Sequence, residues 1–227
     1  MLARIKALFI FIQFSITVGI VVVAMFFFKK KIHTIIKIWM KFQVMCLGIK
    51  IEEVGKLDES CDMVLMNHQS MLDIIIMEHI HSRHLAWVGK KEITDLFFFG
   101  HIMKMPEMIS VDRENKSGLI KLINDAKDRL SKGRPIAMFP EGTRSNGEQL
   151  LKFKAGSSMV ASKLGLRVQP VILINTRGIL DSQNLKVTSG TVKVIYLEPV
   201  QAKRKSTWFE DTEILMNEVL QNELKKA

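Results

Sequence analysis

A histidine and an aspartate five residues apart, in Asn67-His68-Gln69-Ser70-Met71-Leu72-Asp73, have the types and spacing of a general-base pair. The carboxylate can hold one imidazole nitrogen while the other takes a proton. Further along, Phe139-Pro140-Glu141-Gly142-Thr143-Arg144-Ser145 sets a carboxylate, a turn glycine and a guanidinium in one short polar stretch. The planar fork of Arg144 suits a bidentate phosphate contact, and Gly142 lets the backbone come close to a ligand. One stretch is suited to moving a proton, the other to holding an anion.

Five residues on an ideal helix turn through about 500°, so His68 and Asp73 would face different ways if both were helical. The pair therefore requires His68 in a loop, with Gln69 or Ser70 capping a helix and Asp73 in that helix's first turn. Asp73 then accepts Nδ1–H and fixes the tautomer that leaves Nε2 free as the base. Ser70 is read as a cap rather than as the nucleophile of a Ser-His-Asp triad. Taken singly, His68 is better explained by helix capping, and Glu141 with Arg144 by an ion pair that stiffens a turn. Only together do the two stretches describe a base beside an anion clamp. The group His79, His81 and His84 lacks cysteines and any common zinc spacing, so it reads as a solvated helix end, and no metal ligand is assigned.

These residues must be positioned by an alternation of short β-like and longer helical runs. Strands are predicted over Ile49 to Val54, Met63 to Met66, Leu85 to Val88, Met108 to Val111, Ile136 to Phe139, Val168 to Ile174 and Val192 to Leu197. Helices are predicted over Met71 to His79, Leu96 to Met103, Ser117 to Leu130, Gly156 to Leu164 and Thr207 to Lys225, with Arg177 to Ser189 as a surface loop. The pattern implies an α/β fold with a central mixed, partly parallel sheet flanked by helices. It places the two motifs in loops after strands, where such sheets tend to bind ligands. The run Leu96-Phe97-Phe98-Phe99 with Met103-Lys104-Met105 fits core packing, an acyl-chain tunnel or bilayer contact.

Before this domain, Ala7 to Phe28 carries no charge and is long enough to cross about 30 Å of hydrocarbon. Lys29-Lys30-Lys31 comes next rather than a small-residue cleavage site, which argues against a signal peptide. Ile32, Ile35, Ile36, Trp39, Phe42 and Met45 then recur at helical spacing up to Gly48, as in an interfacial helix with a tryptophan anchor. The chain thus divides into an N-terminal membrane-associated helical pair, 1–48, and a domain, 49–227. The first helix either spans the bilayer or dips into one leaflet, and the three lysines favour the cytoplasmic side for the remainder of the chain. A net charge of +10 calls for an anionic partner, and with no nucleic-acid-binding signature the better candidates are a phospholipid membrane and a phosphate-bearing substrate. Cys46 and Cys61 form no disulfide framework.

NHQSMLD followed by FPEGTRS resembles the glycerolipid acyltransferase family, most closely its 1-acyl-sn-glycerol-3-phosphate (lysophosphatidic acid) acyltransferases. Val111-Asp112-Arg113 and Val168-Gln169-Pro170-Val171 are similar to two further blocks of the family, in the same order, so the likeness covers roughly residues 60 to 175. The resemblance implies that His68, oriented by Asp73, deprotonates the sn-2 hydroxyl of lysophosphatidate, which attacks an acyl thioester carried by acyl-CoA or acyl carrier protein. It implies that Arg113 and Arg144, helped by Lys90 or Lys91, hold the phosphate, with Glu141, Gly142 and Thr143 around the substrate and Glu141 orienting Arg144 or the glycerol. Backbone N–H groups near the helix start or around Gly142 are candidates for the oxyanion. No metal or redox cofactor is implied. Glycerol-3-phosphate or another lysolipid as acceptor, or a membrane protein that binds anionic lipid without catalysis, are the alternatives; the last has no use for a His68–Asp73 pair.

Overall fold

Alternation along the strands decides which helices cover which side of the sheet, and so where the two motifs emerge. The computed structural model describes residues 2–112 and 117–226. Its helices are α1 (Leu2–Phe27), α2 (Ile32–Leu47), α3 (Leu72–Ile80), α4 (Lys91–Thr94), α5 (His101–Lys104), α6 (Ser117–Ser131), α7 (Ala155–Leu164), α8 (Thr176–Ile179) and α9 (Trp208–Leu224). Its strands are β1 (Ile49–Val54), β2 (Met63–Met66), β3 (Ala86–Lys90), β4 (Ile109–Val111), β5 (Ile136–Met138), β6 (Arg167–Ile174), β7 (Leu180–Asp181), β8 (Lys186–Val187), β9 (Gly190–Tyr196) and β10 (Val200–Gln201).

The main sheet runs β1-β9-β6-β2-β5-β3-β4, with β10 beside β6. β6, β2, β5, β3 and β4 run parallel to one another across the sheet, and β9 turns antiparallel to β6 and parallel to β1. The mixed sheet read from the sequence is therefore the one that forms, and it is mostly parallel. In β2, Met63 and Leu65 join Val160 of α7 and Met216 of α9 in one apolar cluster. Val64 and Met66 point the other way, into a cluster with α1, α2 and α3. Both faces are buried, as in other parallel sheets, so these strands read as unbroken apolar runs.

The second cluster continues without a break from the sheet into the N-terminal helices. α1 and α2 are joined through the short turn Lys29–Lys31, and Gly48 ends α2 in the left-handed region (φ 63°), as expected. By length and composition α1 can cross a membrane. Yet Ala7, Ile10, Val18, Val21, Val22 and Met25 are buried against protein, and Lys6 donates a 2.9 Å hydrogen bond to Ser189 Oγ. The opposite face, including Leu8, Phe9, Ile12, Ile16, Ile20 and Val23, is exposed. Trp39 is not the surface anchor its spacing implied. It is buried against Phe14, with ring centroids 5.1 Å apart, and its Nε1 donates to Thr17 Oγ1 at 3.0 Å. Ile38, Phe42 and Met45 are the exposed apolar residues of α2.

Three other expectations change. Arg177 to Ser189 is not an open loop but α8 followed by the β7–β8 hairpin, with Ile179, Leu180 and Val187 buried beneath a turn in which Asp181 accepts the Gln183 and Asn184 amides. Leu96 to Met103 is not one helix: helical structure is confined to α5, and Leu96 to Phe99 are exposed. Gly100 breaks the run, because a Cβ there would meet the Thr94 and Leu96 carbonyl oxygens at 2.2 and 2.5 Å. The histidines after α3 are not a solvated end either. His81 is buried, and His84 stacks on His33 at 4.6 Å where the chain passes under α2.

Glu78 of α3 is buried in the apolar cluster between helices and sheet. One oxygen accepts from Trp87 Nε1 at 2.7 Å, and the other has no partner among the described residues. Burial raises this acid from 4.5 to about 7. With the folded value above the unfolded one, its contribution to stability is complete below about pH 4.5 and is lost as the pH rises through about 7. Glu78→Gln keeps an acceptor for Trp87 and removes the ionisation. Its stability relative to the unsubstituted protein is expected to increase from pH 5 to pH 8, by about 3 kcal/mol at most, in denaturant unfolding followed across pH.

Candidate active site

β2 and β5 are parallel neighbours, so Asn67-His68 and Phe139 to Ser145 leave the sheet side by side at the C-terminal ends of their strands. Asn67 continues β2 by side chain instead of backbone, donating to Leu173 O at 2.9 Å and accepting from Leu173 N at 2.7 Å. His68 then lies in the loop and Asp73 in the first turn of α3, as the five-residue spacing requires. His68 Nδ1 is 2.7 Å from Asp73 Oδ2, an oxygen that also accepts the Gln69 and Ser70 amides at 2.7 and 2.8 Å. With Asp73 ionised, Nδ1 carries the proton and Nε2 is the nitrogen left for chemistry. The Ser70 hydroxyl donates to Leu180 O at 2.6 Å and accepts the Leu72 amide at 3.2 Å, the bonds of a helix start rather than of a nucleophile.

The second motif holds the first by its backbone. The His68 amide donates to Glu141 Oε1 at 2.6 Å, and the His68 carbonyl accepts the Ser145 amide at 2.7 Å. The other Glu141 oxygen accepts the Leu151 amide at 2.7 Å. Burial raises the Glu141 acid to about 7, against the pull of these two amides. Glu141 was expected to orient Arg144 or the glycerol; it is instead buried, with both oxygens on backbone amides, and braces two loops. Gly142 (φ 70°) closes the turn with its amide on the Phe139 carbonyl at 3.1 Å, a conformation that strains a side-chain-bearing residue. Of the amides near the helix start and around Gly142 expected as oxyanion donors, those of Gln69 and Ser70 are engaged with Asp73 and that of Gly142 with Phe139.

Phe139 is a contributor that the sequence did not single out. The His68 ring lies flat on it, centroids 3.8 Å apart and planes 12° apart, and Trp87 stacks beyond at 5.6 Å. The signal was present in period two: Ala137 lies in the cluster on the α3 side of the sheet, and Phe139 packs on that same cluster. Arg177 is a second omission. It donates to the Ser145 carbonyl at 2.8 Å and so ties the β7–β8 region to the loop.

His68 lines a cavity of about 560 Å³. Gly142, Thr143, Arg144, Gln183 and the end of β3 at Lys90 line one side of it. Phe14 and Val18 of α1, Ile36 and Met40 of α2, Met103 of α5 and Met108 line the apolar remainder. Arg144 donates to Ser182 Oγ at 3.3 Å and has no carboxylate in ion-pair range among the described residues. Lys91 lies 3.7 Å from Asp112. Arg113 falls outside the described residues, although Val111 just before it pairs with Lys90 across β3 and β4. Among the described residues no group of three His, Cys, Asp or Glu side chains is placed to hold a metal.

The arrangement sets the His68–Asp73 pair and the Arg144 guanidinium around one largely apolar cavity, and comparison with known proteins gives its family. The Acyltransferase family model matches residues 51–174. The chain is 37% identical over 166 residues to a 1-acyl-sn-glycerol-3-phosphate acyltransferase of Helicobacter pylori, covering 72% of this chain and 70% of that protein. It is 31% identical to the protein of that name from Escherichia coli, over 62% of this chain and 57% of the other. It is 30% identical to a lyso-ornithine lipid O-acyltransferase of Rhizobium meliloti, over 61% and 49%. The crystal structure of the 1-acyl-sn-glycerophosphate acyltransferase PlsC from Thermotoga maritima has the same fold, with a TM-score of 0.76 over 99% of this chain and 95% of that one at 23% identity.

Removing the Glu141 carboxylate strands two amides at once. Glu141→Ala is expected to lower stability by about 2–5 kcal/mol in denaturant unfolding. Glu141→Gln, whose single carbonyl replaces one acceptor, should fall between.

Proposed function

The chain belongs to the acyltransferase family, and from that premise we propose that it moves a fatty acyl group from an acyl thioester to the sn-2 hydroxyl of lysophosphatidate, yielding phosphatidate. The observation that carries this reading is the His68–Asp73 pair on a cavity that the Arg144 guanidinium and many apolar side chains also line. Nε2 of His68 takes the hydroxyl proton as the oxygen attacks the thioester carbonyl carbon. The tetrahedral intermediate collapses with cleavage of the C–S bond, and the imidazolium returns the proton to the departing thiolate. Asp73 holds the ring and balances its transient charge without itself taking the proton.

Arg144, with Arg113 and Lys90, binds the acceptor phosphate, and Gly142 and Thr143 lie beside it, so that the hydroxyl is held at attack distance from the base. The apolar remainder of the cavity receives the acyl chain. The co-substrate is acyl-CoA or acyl-acyl carrier protein, and the chemistry needs no metal or redox cofactor. Residues 1–48 are the membrane-associated part and 49–227 the acyltransferase domain, which lies on the cytoplasmic side of the phospholipid membrane. An acceptor lysolipid without an anionic head group would leave Arg144 without an anionic partner.

Membranes carrying the full chain are expected to convert lysophosphatidate and acyl-CoA or acyl-acyl carrier protein to phosphatidate. His68→Ala should lower kcat by about 10²–10⁴-fold. Arg144→Ala should act mainly on the acceptor KM, raising it by about tenfold or more. Full activity in the histidine variant would overturn the mechanism, and an unchanged acceptor KM would remove the phosphate from Arg144.

A further inference from the structure

The most conspicuous surface outside the site is the turn between α4 and α5. Ile93 and Leu96 to Phe99 are all exposed there, Phe97 to 94%. That apolar run does not stand alone. The Phe98 ring lies 3.8 Å from where a Cβ on Gly19 of α1 would sit. At 100° per residue, Gly19 falls between Leu8 and Ile12, inside the exposed arc of α1. The turn and the outer face of α1 therefore form one continuous apolar surface.

Cations fringe that surface. Lys29, Lys30 and Lys31 are exposed at the turn between α1 and α2, and Lys90, Lys91 and Lys104 at the foot of the 93–99 turn, beside Glu92, Asp95 and the Asp112 that lies 3.7 Å from Lys91. An apolar surface with a basic rim is complementary to an anionic bilayer, where aromatic side chains enter the acyl region and lysines remain among the head groups. The turn also borders the site: Ile93 and Lys90 line the cavity together with Phe14 and Val18 of α1.

We propose that residues 93–99 are a second membrane-inserting element, seated in the same leaflet of an anionic phospholipid bilayer as the outer face of α1, so that both lips of the cavity contact lipid. This rests on reading α1 as membrane-associated and the cavity as the lipid site. An acceptor lysolipid then reaches His68 sideways from the bilayer, between two inserted edges. A second copy of the chain or an acidic carrier protein on the same surface are the rival occupants.

The test uses the full chain with Phe97→Trp on phosphatidylglycerol-containing vesicles, with and without brominated acyl chains. Emission is read as the difference from the unsubstituted protein, which carries Trp39, Trp87 and Trp208. The added emission is expected to shift to the blue, to be quenched by the brominated chains and to become inaccessible to aqueous iodide. Emission that stays open to iodide on vesicle-bound protein overturns the proposal. So does shielding that needs no vesicles and tracks protein concentration or added acyl carrier protein. Phe97→Asp is expected to slow turnover of vesicle-borne lysophosphatidate by about tenfold and to leave a short-chain, water-soluble lysophosphatidate unaffected; equal turnover of the vesicle-borne substrate counts against it. The fluorescence reading needs no turnover, so insertion by a chain that acylates nothing would uphold the membrane contact while refuting the substrate.

Discussion

Everything at the site hangs on how the backbone of one residue is held. The amide of His68 donates to the Glu141 carboxylate, and its carbonyl accepts from Ser145, so the loop after β2 is fastened on both sides by the loop after β5. A loop carrying a base is by default mobile, and fixing its backbone costs about 1–2 kcal/mol per residue in conformational entropy. Here that cost is met by short hydrogen bonds to a buried group. With the backbone fixed, Asp73 sets the ring from one nitrogen and Phe139 sets its plane. A displaced Glu141 would free the His68 backbone without any change at the imidazole ring.

That fastening is possible only because β2 and β5 are adjacent and parallel, so that both loops leave from the same edge. β2 is the central strand of the arrangement, with β6 on its other side. Asn67 uses that second neighbour, replacing one rung of the ladder with its side chain just before the chain departs from the sheet. Asn67 is thus anchored to β6 and His68 to the β5 loop.

Local constraints were legible in the sequence and distant ones were not. The five-residue spacing of His68 and Asp73 determines loop and helix by geometry alone, and the strands emerge from their composition to within a few residues. Glu141 is different. It looked like an Arg144 partner because the two are three residues apart, whereas its partners are amides brought near by the sheet. Trp39 at helical spacing looked like a membrane anchor, but which side of α2 meets Phe14 depends on where α1 lies. α1 itself is apolar all round, so no periodicity distinguishes the face against the domain from the face away from it. Polar Asp181 to Asn184 concealed a hairpin whose apolar residues lie on either side of its turn.

The contact between Lys6 and Ser189, together with the pairing of β1 along β9, has a consequence for the order in which the chain is made. Synthesis runs from the N-terminus, so α1, α2 and β1 exist long before the segment that covers them. Until that segment is made, the inner face of α1 has only α2 to pack on. A helix polar on one side would fit the lipid with only half its circumference, while one apolar all round can remain in the bilayer and later exchange lipid for protein along one side. The uniform apolarity that hides the fold from sequence reading is, for the nascent chain, a waiting state.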